Sequence, residues 1–317
     1  MNILHLCPSK VATGGTESIH NIVSNLNKQP NIDAKILYVG ATDNPQPKEY
    51  EKYGCGFVTK FPSDYEGVVI FPEIWGNQVI EKKYDGYIKA ISWAGVDVYD
   101  WHTPKDKRGA FLQDKNVYHI AQSLYAEEHL GKIGVDYEHI LPLCGVLNDR
   151  FFEDYEEVGR ENTILYNPVK MTSFQEQLMQ FLAKYGYTFM ALKGLTRDEM
   201  INTLRKHKLY IDFGVFSGRE RIPREAVRCG CCVITSNIGA SSYYRDVPIQ
   251  DKYKFDHVST SKNLTDIMNT VKNILENYDS VKYDFDEYRK ALVRDREMFQ
   301  VQIKEICNAF LNNNTGI

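Results

Sequence analysis

The chain has 317 residues, of which 43% are hydrophobic and 25% charged. This length predicts two domains of roughly 150 residues, and the composition is that of a globular and not a disordered protein. The formal net charge of −4 argues against a general binder of nucleic acids or membrane surfaces. No apolar run approaches the roughly 18 residues of a membrane span, and the opening MNILHLCPSK has the pattern of a strand, not of a signal peptide.

The first half of the chain alternates strand patterns with helix patterns. Thr16 is placed to cap a helix whose apolar residues keep helical spacing. This alternation predicts an α/β fold with a mostly parallel, doubly wound sheet, whose ligands bind at the carboxyl ends of the strands. The predicted strands cover residues 2–7, 34–39, 67–71, 87–93 and 117–121.

A second alternating unit follows a charged, irregular stretch at residues 145–162, which we expect to be the linker. Thr196 and Glu199 form a capping box for a helix that extends to Lys208. Three-, four- and seven-residue spacing of apolar side chains from Tyr288 to Phe310 predicts a long amphipathic helix near the end. The remaining predicted elements are a helix at 172–185 and strands at 163–166, 189–192, 209–213 and 232–235.

Residues 209–240 form the most informative segment, with a strand, a loop, a short helix and a second strand. Pro223 fits the first turn of the helix, and Gly230 fits the position just past its end. The helix directs unpaired N–H groups towards the loop, which predicts an anion site, such as one for a diphosphate. Glu225, one turn inside, is placed to accept the paired hydroxyls of a ribose. The loop supplies Ser217, Gly218, Arg219 and Arg221.

This order of elements, with Glu225-Ala226 and the strand residues CVIT, resembles the donor-sugar signature of GT-B glycosyltransferases, particularly those of family 4. In that family the Glu before Ala binds the nucleotide ribose, which corresponds to Glu225. The family usually carries another Glu eight residues earlier. This chain has Ser217 there, and Glu220 is out of register. The departure leaves open how the donor sugar is held and whether its anomeric configuration is retained.

The resemblance implies two Rossmann-like, doubly wound domains that face each other across a cleft, with a C-terminal helix that crosses back. The implied ranges are 1–150 for the acceptor side, 151–285 for the nucleotide sugar and 286–317 for the helix. It also implies a hexosyltransferase-like enzyme that takes a nucleotide-diphosphate sugar, expected to be a UDP-sugar, and needs no metal or other cofactor. A saccharide or lipid-linked saccharide is the expected acceptor.

Four further residues are candidates for the donor site. Gly14 and Gly15 lie in the first strand-to-helix loop, where the family often has a Gly pair and where backbone N–H groups approach a ligand closely. Lys170 follows the first strand of the second domain, near the usual place of a phosphate-binding cation. Lys193 ends a neighbouring strand, where the family contacts the base. Each of these residues also fits a turn or a solvated surface.

Two carboxylates of the first domain are candidates for catalysis, because glycosyl transfer needs the acceptor oxygen deprotonated or hydrogen-bonded. Asp97 follows the strand at 87–93, and Glu73 lies at an adjacent strand end. Asp97 equally fits a capping role. Three tryptophans, Trp75, Trp93 and Trp101, offer a stacking surface or core packing, whereas His102 and His119 are expected to be structural.

The seven cysteines lack the spacing of a zinc site and cannot all pair, which favours reduced thiols in the cytoplasm. Three other functions remain open. One is a phage-type glucosyltransferase acting on a modified DNA base, which the net negative charge disfavours. A second is a nucleotide-sugar-binding protein without activity, which Ser217 favours. An NAD-dependent oxidoreductase or epimerase is disfavoured, because the first loop lacks G-x-G-x-x-G.

Overall fold

The computed structural model describes residues 1–40, 45–156 and 159–314. The chain divides into two compact units, one formed by Met1–Gly145 with Arg296–Ile317 and the other by Val146–Asp295. The change of unit at Gly145 lies at the start of the stretch that we expected to be the linker. The assignment of acceptor and nucleotide-sugar roles to separate domains stays a prediction.

In the described part of the first unit, seven parallel strands form one sheet. They are β1 (Asn2–Pro8), β2 (Asp33–Val39), β3 (Gly56–Val58), β4 (Val68–Pro72), β5 (Ile88–Trp93), β6 (Tyr118–Ala121) and β7 (Ile140–Pro142). Their order is β3-β2-β1-β4-β5-β6-β7. The direction of winding reverses between β1 and β4, so ligands are expected at the carboxyl ends of these strands.

Three α-helices of the first unit are α1 (Gly14–Leu26), α2 (Val96–His102) and α3 (Leu124–Lys132). The structure corrects the start of α1, because Thr13 and not Thr16 is its N-cap. Thr16 lies one turn inside and closes a capping box by accepting a hydrogen bond from the Thr13 N–H (3.0 Å). Gly14 and Gly15 are therefore the first two residues of the helix.

The described part of the second unit contains a five-stranded parallel sheet of order β12-β11-β10-β8-β9. Its strands are β8 (Glu161–Tyr166), β9 (Phe189–Ala191), β10 (His207–Asp212), β11 (Cys232–Ser236) and β12 (Lys254–Phe255). Winding reverses between β8 and β10, which marks the carboxyl ends of these two strands as a place for a ligand. The helices are α4 (Ser173–Ala183), α5 (Arg197–Lys206), α6 (Arg221–Arg228), α7 (Ser261–Glu276) and α8 (Tyr278–Val281).

The last helix, α9 (Asp286–Asn314), begins in the second unit and continues into the first. Its later residues pack against the first sheet and α1. Gln302 accepts a hydrogen bond from the Cys144 N–H (2.8 Å), and Gln300 donates one to Asn25 (2.8 Å). The Tyr118 hydroxyl donates to the Ala309 carbonyl (3.3 Å). These contacts confirm that the C-terminal helix crosses back onto the first unit.

Six of the seven cysteines are buried. Burial raises the pKa of the Cys7, Cys229 and Cys232 thiols to about 12, so these side chains are protonated and unreactive at neutral pH. Among the described residues, no helix is long and apolar enough to span a bilayer.

Candidate functional site

The segment that the sequence singled out forms β10, a loop over residues 213–220, α6 and β11. α6 begins two residues before Pro223, at Arg221, and Glu220 is its N-cap. Gly230 follows the helix end with φ +93°, as expected for the stop. The positive φ favours glycine at this position, and a Cβ atom there would also force the Arg160 guanidinium, 2.2 Å away, to move.

Hydrogen bonds from several elements fix the first half of the β10–α6 loop. The Gln175 side chain of α4 accepts from the Phe213 N–H (3.0 Å), and Thr172 donates to the Phe213 carbonyl (2.9 Å). Ser236 of β11 donates to the Gly214 carbonyl (2.9 Å), and the Ala240 N–H donates to the Phe216 carbonyl (2.8 Å). The loop therefore starts from a rigid frame at the carboxyl end of β10.

Each of the three predicted phosphate cations forms an ion pair with a carboxylate. Lys170, in the turn after β8, pairs with Glu220, which also accepts a long hydrogen bond from Ser217 (3.5 Å). Arg221 Nε lies 3.0 Å from Glu225 Oε1. Arg219 is held by Asp295 of α9, and the shorter of the two bonds is 2.6 Å. The structure thus gathers these cations around one loop with their charges balanced.

The three ion pairs differ in how readily an incoming anion can exchange with the carboxylate. The Lys170 and Arg221 side chains are 42% and 40% exposed, although their partners Glu220 and Glu225 are 14% and 2% exposed, so solvent reaches the cation of each pair and screens it. Arg219 and Asp295 are 7% and 15% exposed, and breaking a buried pair costs about 3–5 kcal/mol. Lys170 and Arg221 are therefore the cations best able to move to a bound phosphate.

The first N–H groups of α6 also face this loop. The Glu220 side chain makes no capping bond to them, since its carboxylate is paired with Lys170. Positive partial charge at the helix N-terminus thus adds to the two exchangeable cations. Such an arrangement is suited to hold a diphosphate.

Asp212, which sequence reasoning did not single out, lies directly behind the loop. Its carboxylate accepts hydrogen bonds from the Tyr210 hydroxyl (2.7 Å) and the Gly214 N–H (3.0 Å). The pKa of Asp212 is raised to about 6, chiefly by burial and also by the nearby Glu220 carboxylate, whereas the hydrogen bonds from Tyr210 and Gly214 and the charge of Lys170 oppose the rise. The sequence signal that could have identified Asp212 is an acidic residue at the end of an apolar strand.

The remaining donor candidates occupy separate places. Lys193 is exposed just after β9, the edge strand beside β8, and Gly218 is buried in the β10–α6 loop. Gly14 and Gly15 are exposed at the start of α1, at the carboxyl end of β1. Their roles in binding stay predictions.

Glu73 lies immediately after β4 and is buried. Burial raises the pKa of its carboxyl group to about 7, although the N–H groups of Ala94 and Gly95 donate to it and oppose the rise. These two residues begin the turn into α2, so Glu73 is fixed beside the end of β5. A carboxyl group with this pKa can accept or release a proton near neutral pH.

Asp97, the second residue of α2, is half-buried. Burial raises its pKa, Asp100 adds to the rise, and His129 opposes it. The Tyr125 hydroxyl lies 3.5 Å from the carboxylate, at the limit of a hydrogen bond. Asp97 and Glu73 therefore flank the same β5–α2 turn, where either group can serve as a base.

The aromatic residues of this region divide between core and surface. Trp93 is fully buried, and its indole N–H donates to His119 (3.0 Å). Burial lowers the pKa of His119 to about 3, which keeps the ring neutral inside the core. Trp75 is partly buried against the same core, whereas Trp101 of α2 is 63% exposed.

Glu73 should make folding stability depend on pH. Its folded pKa of about 7 exceeds the ordinary value of 4.5, so the folded protein binds more protons between these values. The free energy of unfolding should therefore fall as the pH rises from about 5 to 8, by on the order of 3 kcal/mol from this group. Denaturant titration should show this fall in the wild type and a flatter profile in Glu73→Gln. The exposed Glu81→Gln is the control, and parallel profiles for all three proteins would refute the assignment.

Solved structures share this architecture over nearly the whole chain. HepE of Anabaena in complex with UDP-glucose matches with a TM-score of 0.67 and 11% identity, covering 98% of this chain and 100% of that one. Sucrose-phosphate synthase from Thermosynechococcus elongatus has a TM-score of 0.68 and 9% identity, with 98% and 99% covered. The lipopolysaccharide outer core galactosyltransferase WaaB has a TM-score of 0.60 and 12% identity, with 99% and 100% covered.

These likenesses show that the chain has the GT-B fold, with two Rossmann-like units. The fold class expected from the sequence is thereby confirmed. No protein-family model and no curated protein matches the sequence.

Proposed function

We propose that this chain is a glycosyltransferase that moves a sugar from a nucleotide-diphosphate donor, a UDP-sugar, to a hydroxyl of a saccharide acceptor in the cytoplasm. The observation that carries the proposal is the group of ion-paired cations around the β10–α6 loop, at the point where the second sheet reverses its winding. A diphosphate needs compensating positive charge, and the carboxyl ends of β8 and β10 offer it.

Donor binding would exchange the two accessible ion pairs. Lys170 leaves Glu220 for a phosphate oxygen, while the N–H groups of α6 bind the same group. Arg221 can also turn to the diphosphate if the ribose hydroxyls take its place at the buried Glu225 carboxylate. Binding of the ribose and of the diphosphate would then be cooperative, because the ribose releases Arg221 from Glu225 and the diphosphate receives it.

The choice of a UDP-sugar follows from the similar structures. HepE was solved with UDP-glucose, and WaaB is a galactosyltransferase. On this chain the acceptor hydroxyl would meet Asp97 or Glu73 as the base. The charge that a metal supplies in other transferases would come from Lys170, Arg221 and the α6 N-terminus, so EDTA should leave the rate unchanged.

Calorimetry with UDP, GDP, ADP and uridine tests the donor site, and hydrolysis of radiolabelled UDP-glucose tests turnover. UDP should bind more tightly than uridine, and slow hydrolysis should be measurable without an acceptor. Absence of UDP binding would overturn the proposal. Binding of UDP without hydrolysis or transfer to any offered acceptor would indicate a nucleotide-sugar-binding protein without activity.

Glu225→Gln should weaken uridine binding roughly ten-fold, because the ribose loses a charge-assisted hydrogen bond, and UDP binding by at most that factor, because Arg221 is released towards the diphosphate. Calorimetry of both ligands measures this. Glu276→Gln, on the exposed face of α7, is the matched control. A loss of affinity confined to UDP would show that Glu225 acts on the phosphates through Arg221 and does not bind the ribose.

A further inference from the structure

The buried contact between Arg219 and Asp295 joins the β10–α6 loop to the last helix. Two guanidinium nitrogens of Arg219 face the two carboxylate oxygens of Asp295, at 3.2 and 2.6 Å. The third, Nε, donates to the Asp246 carbonyl at 3.3 Å. All three nitrogens are thus engaged with protein groups, and the two parallel bonds fix the plane of the guanidinium.

This contact holds residues 217–220, the half of the loop without the backbone hydrogen bonds that fix residues 213–216. Across residues 217–220, the hydrogen bond of the Ser217 N–H is local, to the Val215 carbonyl. The Glu220 carbonyl accepts from Arg224, one turn further along α6. The Lys170–Glu220 pair reaches another element but is partly exposed. Among the described residues, the buried link from this half to other elements is made by Arg219.

Asp295 also occupies a distinctive place in the chain. It is the last residue of the second unit, and α9 continues from Arg296 as part of the first unit. The groups that interact electrostatically with Asp295 include Arg219 of the loop and Arg224 of α6, and Tyr288 lies two turns earlier on the same face of α9. Through its ion pair with Arg219, this carboxylate links the position of α9 to that of the β10–α6 loop.

We propose that Asp295 is a positioning residue of the donor site. By pairing with Arg219 it holds residues 217–220, and with them the N-terminus of α6, in place for a nucleoside diphosphate. The inference rests on the proposed function and deepens it: Arg219 acts on the diphosphate through the loop, and donor affinity depends on the helix that leaves the second unit.

The test compares Asp295→Asn and Asp295→Glu in the full-length chain. Asp266→Asn, on α7 of the same unit and in an exposed pair with Lys262, is the matched control. Three quantities are measured: dissociation constants of UDP and uridine by calorimetry, hydrogen exchange of residues 213–221 without ligand by mass spectrometry, and the melting temperature.

Asp295→Asn should raise the UDP dissociation constant roughly ten-fold and leave that of uridine within about two-fold, because a preset loop is lost and the ribose site is not. Exchange of residues 213–221 should become faster, while strands β8 and β11 keep wild-type rates. Asp295→Glu should restore most of the affinity, since it keeps the carboxylate. The control should match the wild type.

The proposal would be overturned if Asp295→Asn weakened UDP and uridine binding equally, or if residues 213–221 kept their wild-type hydrogen-exchange rates. The Arg219–Asp295 pair would then be a purely structural contact. If Asp295→Asn does not fold, the double variant Arg219→Gln/Asp295→Asn removes both buried charges and is judged by the same criteria. If the wild type binds no UDP, the proposed function is overturned. Hydrogen exchange of residues 213–221 in Asp295→Asn then tests by itself whether Asp295 holds the loop in position.

Discussion

Asp97→Asn is expected to lower turnover about 10²-fold or more while donor affinity stays nearly constant. The substitution keeps the size of the side chain and one acceptor oxygen but removes the charge that a base needs. Burial already raises the pKa of Asp97, and the contact of its carboxylate with the Tyr125 hydroxyl, at 3.5 Å, is a weak competitor for an acceptor hydroxyl. Transfer or hydrolysis rates and UDP affinity are measured together.

The control for this prediction lies in the same helix. Asp100→Asn changes an exposed carboxylate that pairs with Arg108, so it should leave turnover within about two-fold. If Asp97 only caps α2, its substitution will lower the melting temperature and reduce every activity in proportion. If the Asp97→Asn enzyme is active and stable, Glu73 is the base instead, and Glu73→Gln should then lower turnover about 10²-fold.

The pattern of the fold could be predicted because its signals are local. Apolar runs identified the long strands of both sheets, and helical spacing of apolar residues identified helices. The predicted capping box at Thr196 and Glu199 is present in the structure. Short edge strands such as β3, β7 and β12 were missed, because two or three residues carry no periodicity. The start of α1 was misplaced, since Thr13 and Thr16 both fit a cap and only the hydrogen bonds distinguish them.

The site could be predicted only in part, for a related reason. The sequence identified a strand, an anion-suited loop and a helix N-terminus, because these lie within one short stretch. It did not identify Asp295 as a partner of that stretch, or Asp212 within it as the carboxylate behind the loop. Asp295 meets Arg219 from 76 residues away, and spacing along a helix gives no sign of such a contact. Long-range ion pairs depend on tertiary packing, and here they decide which of the cations is free to exchange.

Lys170 and Glu220 should have opposite effects on UDP binding, because their opposite charges meet at the place proposed for the diphosphate. Lys170→Ala should weaken UDP binding on the order of 10- to 100-fold, the equivalent of about 1.5–3 kcal/mol for a charge-assisted contact. Glu220→Gln should tighten it, since the neutral amide no longer competes for Lys170 and no longer repels phosphate. Uridine affinity should change little in both variants.

Two further variants make this pair of predictions decisive. Lys272→Ala removes a lysine from an exposed pair on α7 and controls for the change in net charge. Lys170→Arg keeps the charge and should retain most of the affinity for UDP. Rising salt should narrow the gap between the wild type and Lys170→Ala, since the contact is partly exposed. Weaker UDP binding in Glu220→Gln would contradict the exchange mechanism and indicate instead that the Glu220 carboxylate holds Lys170 in its binding position.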